Sequence, residues 1–396
     1  MGTEETGFPR RLLRASRRAR RDYFAAYTIG HAVIVDALAA VLRALAQPTT
    51  TWTPVILVIG PAGVGKTTLI RTIERELTRR LRRQLAGNPG RLPFVSVACD
   101  VPESGSFNWK DFCLLGLEAM DEPMIRRKVY LPPTESFGAA EVQSVLRPRT
   151  PANIMRRALV QALTHRAPSA LLVDEAQQLA MVAGSRKLQH QMDYIKRLAD
   201  ASRVPAVLVG NYGLCVLRNQ SAQLGRRTRE IHVRRYDVTR PCDAANFKDI
   251  VLSFQCHLPV AEQPDLLAEW EYLYLRSVGC IGLLKQWLLD ELDDAMEQDV
   301  GTLTRATLER TAPLPSKSKK VLEEALEGEA KLAELDPDAD PRAAEMELRV
   351  LLRLAPSPAQ SPSATGLAMS AKQARRPGER KPARDPVPPD SAAMTG

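Results

Sequence analysis

Between an apolar run, Val55–Ile59, and a stretch of helical periodicity, Thr67–Leu85, lies the octapeptide Gly60-Pro-Ala-Gly-Val-Gly-Lys66-Thr67. It satisfies G-x-x-x-x-G-K-[ST] at every fixed position, and it limits the folds open to the chain more than any other feature. The glycines allow backbone amides to turn inward, and a helix N-terminus behind them adds a favourable dipole for an anion. Such a turn works only where a strand ends and a helix begins, so it commits the chain to an α/β core. In this arrangement Lys66 reaches the β- and γ-phosphates of a nucleotide and Thr67 ligates Mg²⁺. Gly60, Pro61, Ala62, Gly63, Val64, Gly65, Lys66, Thr67 and the adjoining Thr68 are the expected phosphate-binding residues.

The pattern downstream agrees. Short apolar runs at Phe94–Ala98, Ala170–Val173, Ala206–Val209 and Glu230–Arg235 alternate with helical segments such as Ile154–His165 and Leu188–Ala201. Strands separated by helices imply a mostly parallel sheet covered on both faces. After Pro241 the strand pattern ends. Asp243–Phe254, Pro264–Tyr274, Gly282–Met296 and Thr304–Arg310 read as helices, with Asp243 and Thr302 as N-cap candidates. The division expected is a basic arm over 1–22, an α/β domain over 23–240 that opens with an amphipathic helical segment (23–47), an α-helical lid over 241–312, and a largely disordered tail over 313–396. That tail is acidic at first and then rich in Pro, Ser and Ala, a composition that buries little apolar surface.

Further polar groups sit at the ends of these strands. Asp174 and Glu175 close the run Ala170–Val173. The first suits a Mg²⁺ site and the second can orient or deprotonate a water. Asn211 ends the next strand, where its amide can bridge that water and the γ-phosphate. Arg226 and Arg227 precede the fifth strand, where either can reach another subunit's nucleotide. Lys285 lies one turn into a helix of the lid and can report on the γ-phosphate.

In this order the motifs resemble those of an AAA+ ATPase, and more narrowly the TnsC/TniB family of transposition regulators. The narrower resemblance covers about residues 23–300. It rests on Tyr27-Thr-Ile-Gly-His31, Leu172-Val-Asp-Glu-Ala176, Ile195-Lys-Arg-Leu-Ala199, Val209-Gly-Asn-Tyr-Gly213, Gln223-Leu-Gly-Arg-Arg227 with Ile231-His232 and Arg235-Tyr236, and Gly279-Cys-Ile-Gly-Leu-Leu-Lys285. The resemblance implies a five-stranded parallel sheet in the order 5-1-4-3-2 and a small helical lid. It implies ATP with Mg²⁺ as ligands, held by Lys66, Thr67 and Asp174, with His31 counted among the nucleotide contacts. Glu175 would be the catalytic base, Asn211 the first sensor, Arg226 or Arg227 the arginine finger, and Lys285 the second sensor, where many relatives carry arginine. It further implies ATP-dependent rings or helical filaments on duplex DNA, linking a target selector to transposase subunits. DNA contacts in this fold come from segments after the second and third strands, which here contain Lys110, Arg126, Arg127, Lys128, Arg147 and Arg149. ATP over GTP rests on the same resemblance, since no N-K-x-D motif is present.

Bulk properties narrow the reading without deciding it. The 396 residues allow roughly two to three domains. A net charge of +9 favours an anionic partner, nucleic acid first. Arg10, Arg11, Arg14, Arg17, Arg18, Arg20 and Arg21 concentrate that charge in the arm, either as a solvated helix face or as a duplex- or partner-binding element. The six cysteines are scattered without metal-ligand spacing and are expected as core residues and reduced thiols. No apolar run reaches the ~18 residues of a membrane span, and a cytoplasmic location is expected. A loader or remodeller in replication or repair, or a nucleotide-switched protein-binding scaffold, would share the same nucleotide motifs.

Overall fold

In the computed structural model, the residues described are 7–47, 52–101, 107–123, 125, 152–180, 185–218 and 228–334. Arg126, Arg127, Lys128, Arg147, Arg149, Arg226, Arg227 and the tail from 335 lie outside them.

The five strands are β1 (Val55–Ile59), β2 (Val95–Ala98), β3 (Leu171–Asp174), β4 (Ala206–Gly210) and β5 (Thr228–His232). They form one parallel sheet in the order β2-β3-β4-β1-β5, which is the order expected. β1 lies inside the sheet, and all five of its side chains are buried because helices cover both faces. Alternate residues divide between two cores. Ile56 and Val58 join α2 (Ala32–Ala46), α3 (Lys66–Gly87) and the helices that follow Pro241. Val55, Leu57 and Ile59 join α4 (Trp109–Glu118), α5 (Ala152–Arg166) and α6 (Ser185–Ser202). A single-turn helix, α7 (Cys215–Arg218), follows β4.

β5 ends at His232, three residues short of the expected Arg235. Arg234 is drawn instead to the carboxylate of Asp243, with one of its two hydrogen bonds at 2.9 Å. Asp243 is fully buried and also accepts the amide of Asp237 at 3.2 Å. It is therefore no N-cap. The helix it belongs to, α8 (Pro241–His257), is capped by Arg240 and opens on Pro241, whose missing N–H costs nothing at that position. Asp243 works as a staple, tying the exit from the sheet to the helices beyond. α9 (Trp270–Ser277) begins later than the pattern suggested, because Pro264–Glu269 are spent on turns, with Asp265 accepting the Ala268 amide at 3.1 Å. α10 (Ile281–Glu297) and α11 (Arg305–Thr311) follow, and the cap of α11 is Thr304, in a reciprocal pair with Thr307, rather than Thr302.

Two terminal segments pack on this frame. The helix α1 (Arg17–Ala26), capped by Ser16, buries Phe24 and lies along α10. Its Arg20 donates to the Pro259 carbonyl at 2.8 Å and Arg21 pairs with Asp293 at 2.7 Å, so part of the basic arm is structural. At the other end, α12 (Pro315–Glu334) occupies the first part of the segment assigned to the tail. Pairing of Glu327 with Lys331 at 2.6 Å supports the helix locally. Ser318 donates to the Arg276 carbonyl at 2.7 Å and Ala325 is fully buried, so tertiary contacts hold it as well. Among the described residues no helix is long and apolar enough to cross a membrane.

His31 sits just ahead of α2, buried, with Nδ1 3.0 Å from the Tyr236 hydroxyl. Burial pushes its pKa down to about 4. The unfolded chain, titrating near about 6.5, takes up a proton first as pH falls, so this stability is complete at neutral pH and lost in acid. We expect a loss of about 2 kcal/mol on going from neutral pH to about pH 5 from this residue. Denaturant unfolding as a function of pH checks this, and His31→Gln should flatten the decline.

Candidate active site

The carboxyl ends of β1, β3 and β4 converge on one cleft of about 300 Å³. Its walls include Ala62, Gly63, Gly65, Lys66, Thr67, Thr68, Glu175, Gln177, Asn211, Gly282 and Leu283. Parallel pairing brings these groups together. Ile59 stands opposite Gly210 on β4 and His232 on β5, so each loop leaves its strand at the same level.

The turn after β1 has the geometry its glycines suggest. Gly63 and Gly65 have φ of +74° and +106°, the left-handed region where a side chain is strained. A Cβ on Gly60 would overlap the Val233 carbonyl. Gly65 then caps α3, whose first turn carries no acid to compete for an incoming anion. The Lys66 ammonium donates to the carbonyls of Gly60 at 2.9 Å and Pro61 at 2.7 Å, which leaves one N–H for a phosphate oxygen. Burial lowers the Lys66 pKa, while Glu175 and Asp174 oppose that shift. A desolvated cation among inward-turned amides, in a cleft this size, fits a nucleotide's phosphates.

At the end of β3, next to Glu175 but not itself lining the cleft, burial raises the Asp174 carboxyl pKa, against a hydrogen bond from the Glu175 amide at 2.8 Å. Glu175 itself has φ +51°, a strained conformation for a residue with a side chain. The strain arises where β3 turns abruptly into a 3-10 helix, Ala176–Ala180, and it points the residue at the cleft. Thr67, Asp174 and Glu175 supply the hydroxyl and carboxylate oxygens that Mg²⁺ prefers.

Sequence reasoning missed Gln177. Its Nε2 donates to the Glu175 carboxylate, and its Oε1 accepts the Asn211 amide at 3.2 Å. One side chain thus joins the ends of β3 and β4. Asn211 lines the cleft, and its Oδ1 accepts the Gly213 amide at 2.8 Å, so the cap reading and the cleft position coexist. Also unforeseen is the seat of α10 on the phosphate turn. The amides of Gly282 and Leu283 donate to the Gly63 carbonyl at 2.7 and 3.2 Å, and a Cβ on Gly282 would lie 2.6 Å from that oxygen. The spacing Gly279–Gly282 was the available signal.

Two expected nucleotide contacts lie elsewhere. Lys285 donates to the Ala25 and Tyr27 carbonyls at 2.6 and 2.7 Å, capping the C-terminal turn of α1 instead of facing the cleft. Burial lowers its pKa and the nearby Arg71 adds to the shift. His31 is not among the cleft-lining residues, being held by Tyr236. Lys110, expected as a DNA contact, lies in the first turn of α4, its amide bonded to Asn108 at 3.1 Å.

Lys66→Ala removes the only ammonium lining the cleft among the described residues. Binding of a fluorescent ATP analogue should weaken about 10–100-fold, the cost of a charge-assisted hydrogen bond to phosphate. An unchanged affinity in a direct titration would show that phosphates do not sit on this turn.

No curated protein matches the sequence. Among solved structures, the Aeropyrum pernix ORC2 protein (ADPNP–ADP complexes) is similar with 14% identity and a TM-score of 0.45, over 75% of this chain and 67% of that one. The Aeropyrum pernix ORC1 protein in complex with DNA gives 16% identity and a TM-score of 0.45, over 78% and 70%. Drosophila ORC bound to DNA gives 12% and 0.43, over 78% and 67%. Residues 53–215 match the AAA domain. With Gly60–Thr67, Asp174–Glu175 and Asn211 on adjacent strand ends, that stretch of the chain matches the AAA domain in sequence and carries its polar groups at one edge of the sheet.

Proposed function

We propose that this chain is an ATP-hydrolysing switch that assembles on duplex DNA and regulates DNA transposition. The observation that carries the catalytic part is a single cleft lined by Lys66, Thr67, Glu175 and Asn211, from three parallel strand ends. In this reading the amides of Gly63–Thr67 and the Lys66 ammonium bind the β- and γ-phosphates. Thr67 and Asp174 hold Mg²⁺, which when bound offsets charge on the phosphates. Glu175 accepts a proton from the attacking water, and Gln177 positions its carboxylate. Asn211 orients that water from the neighbouring strand. Arg226 or Arg227 completes the site from an adjacent subunit, which makes turnover depend on assembly.

The wider role draws on the sequence resemblance and on charge. A net charge of +9 suits a protein that tracks a phosphate backbone. Binding of that kind reads few bases and falls steeply with salt. ATP would favour a ring or filament on target DNA that recruits transposase subunits after a target selector has marked the site, and hydrolysis would time disassembly. The expected domains are those given above, an α/β domain to residue 240 and a helical lid to 312.

Two measurements test this. Glu175→Gln should cut ATP turnover by about 100-fold or more, the usual contribution of a positioned base, while leaving nucleotide affinity nearly intact. Electron microscopy with duplex DNA should then show ordered assemblies of that variant under ATP, and of the wild-type protein only with a slowly hydrolysed analogue. Assemblies that form without DNA, or particles that ignore it in every nucleotide state, would overturn the transposition reading. A closed ring of fixed subunit number with a replication client would favour a loader.

A further inference from the structure

The helix α12 packs beside the chain's own nucleotide site, and nothing in the proposed reaction uses it. A second cleft of about 390 Å³ opens between α12 and the strand ends. Ala62 and Asn211 line both this cleft and the phosphate cleft, so the two adjoin. The α12 side contributes Val321, Glu324, Ala325, Glu327, Gly328 and Lys331.

Two contacts pin the helix there. The ring of Tyr212, next to Asn211, lies against the backbone of Gly328, and a Cβ at that position would fall inside the ring. One residue on, the Glu329 carboxylate pairs with Arg235 at 3.1 Å. Arg235 is only 8% exposed and otherwise meets the Tyr274 hydroxyl at 3.5 Å. Arg235 precedes Tyr236, whose amide donates to the Gly279 carbonyl at 3.0 Å, three residues ahead of the Gly282 amide that holds the Gly63 carbonyl. A carboxylate of the chain is thereby docked on a buried cation beside a site built for phosphate. Glu324 adds negative charge along the same side, while Glu327 is paired with Lys331 at 2.6 Å.

We infer that α12 is an autoinhibitory strap, held beside the nucleotide site by Gly328 on Tyr212 and Glu329 on Arg235, and displaced when nucleoside triphosphate binds. The inference rests on the nucleotide reading above. Like charge drives the competition, since α12 sets Glu324 and Glu329 beside the cleft that the phosphates would enter. Displacement also frees Arg235 to face an anion. Linkage makes the effect reciprocal: whatever loosens α12 tightens nucleotide binding, and nucleotide loosens α12 by the same factor.

The test uses the full chain with Glu329→Gln, which removes the ion pair at constant shape, and Gly328→Leu, which drives a side chain into Tyr212. Lys319→Ala, on the exposed side of α12, is the control. Amide exchange over residues 315–334, direct titration with a fluorescent ATP analogue, and phosphate release are measured together. Both variants should speed exchange in α12, tighten analogue binding and raise kcat/KM by at least about fivefold, the lower end of typical coupling between sites. Saturating analogue should speed exchange in the wild-type α12, and the control should match the wild type. Faster exchange with unchanged or reduced binding and turnover would make α12 a structural element and overturn the strap. So would exchange that neither variant alters, or that the analogue leaves untouched in the wild type. Failure of every protein to bind the analogue would instead refute the nucleotide reading itself, and the strap with it.

Discussion

The site depends on the register of β1 between β4 and β5. Parallel pairing sets Ile59, Gly210 and His232 side by side, so three loops that are distant in sequence start from one line. A one-residue slip of β1 would exchange its two buried faces and break the apolar packing on both. The burial of all five β1 side chains therefore does more than stabilise the sheet. It fixes the height at which the phosphate turn begins relative to Asn211, and through the β3–β4 pairing relative to Asp174 and Glu175.

Side chains make the finer adjustments across that line. Gln177 joins the ends of β3 and β4, and Tyr212 reaches His232 at 3.0 Å, spanning the turn of β1 to reach β5. Asp243 does the same for the chain leaving the sheet. Its carboxylate is taken out of water, which disfavours charge, yet the Arg234 hydrogen bonds and the Asp237 amide hold it below the usual carboxylate range. Removing one partner of such a buried pair costs more than the pair contributes, which ties the exit loop to a single conformation.

What the sequence made legible follows the strength of each local signal. β1 and its phosphate turn were readable because strand, glycines and helix agree within a few residues. Strand ends with paired acids or an amide were readable for the same reason. The destinations of long side chains were not. Lys285 has the spacing of a sensor, but the unsatisfied carbonyls at the end of α1 are nearer to it, and α1 is more than 250 residues away in the chain. Asp243 has the composition of a cap, but its position is decided by Arg234. The helix α12 is rich in charge and interrupted by Gly328, and both features read as tail. Only the presence of Tyr212 explains why a glycine is wanted there. The basic arm shows a mixed case: Arg20 and Arg21 are anchored, while Arg18 pairs with the exposed Asp22 at 3.7 Å.

One further consequence follows from the hydrogen bonds between Gly63 and the first amides of α10. A helix seated on the peptide that must accommodate a phosphate is a lever with its short end in the site. Seventeen residues make α10 roughly 25 Å long. A tilt of about 10° at the Gly63 end would carry its far end through about 4 Å, by the geometry of a rod of that length. Lys285 and Asp293 lie along that rod, and they hold α1 by its last carbonyls and by Arg21. The amplified stroke would arrive at the arginine-rich N-terminal segment, on the far side of α1 from the phosphate turn.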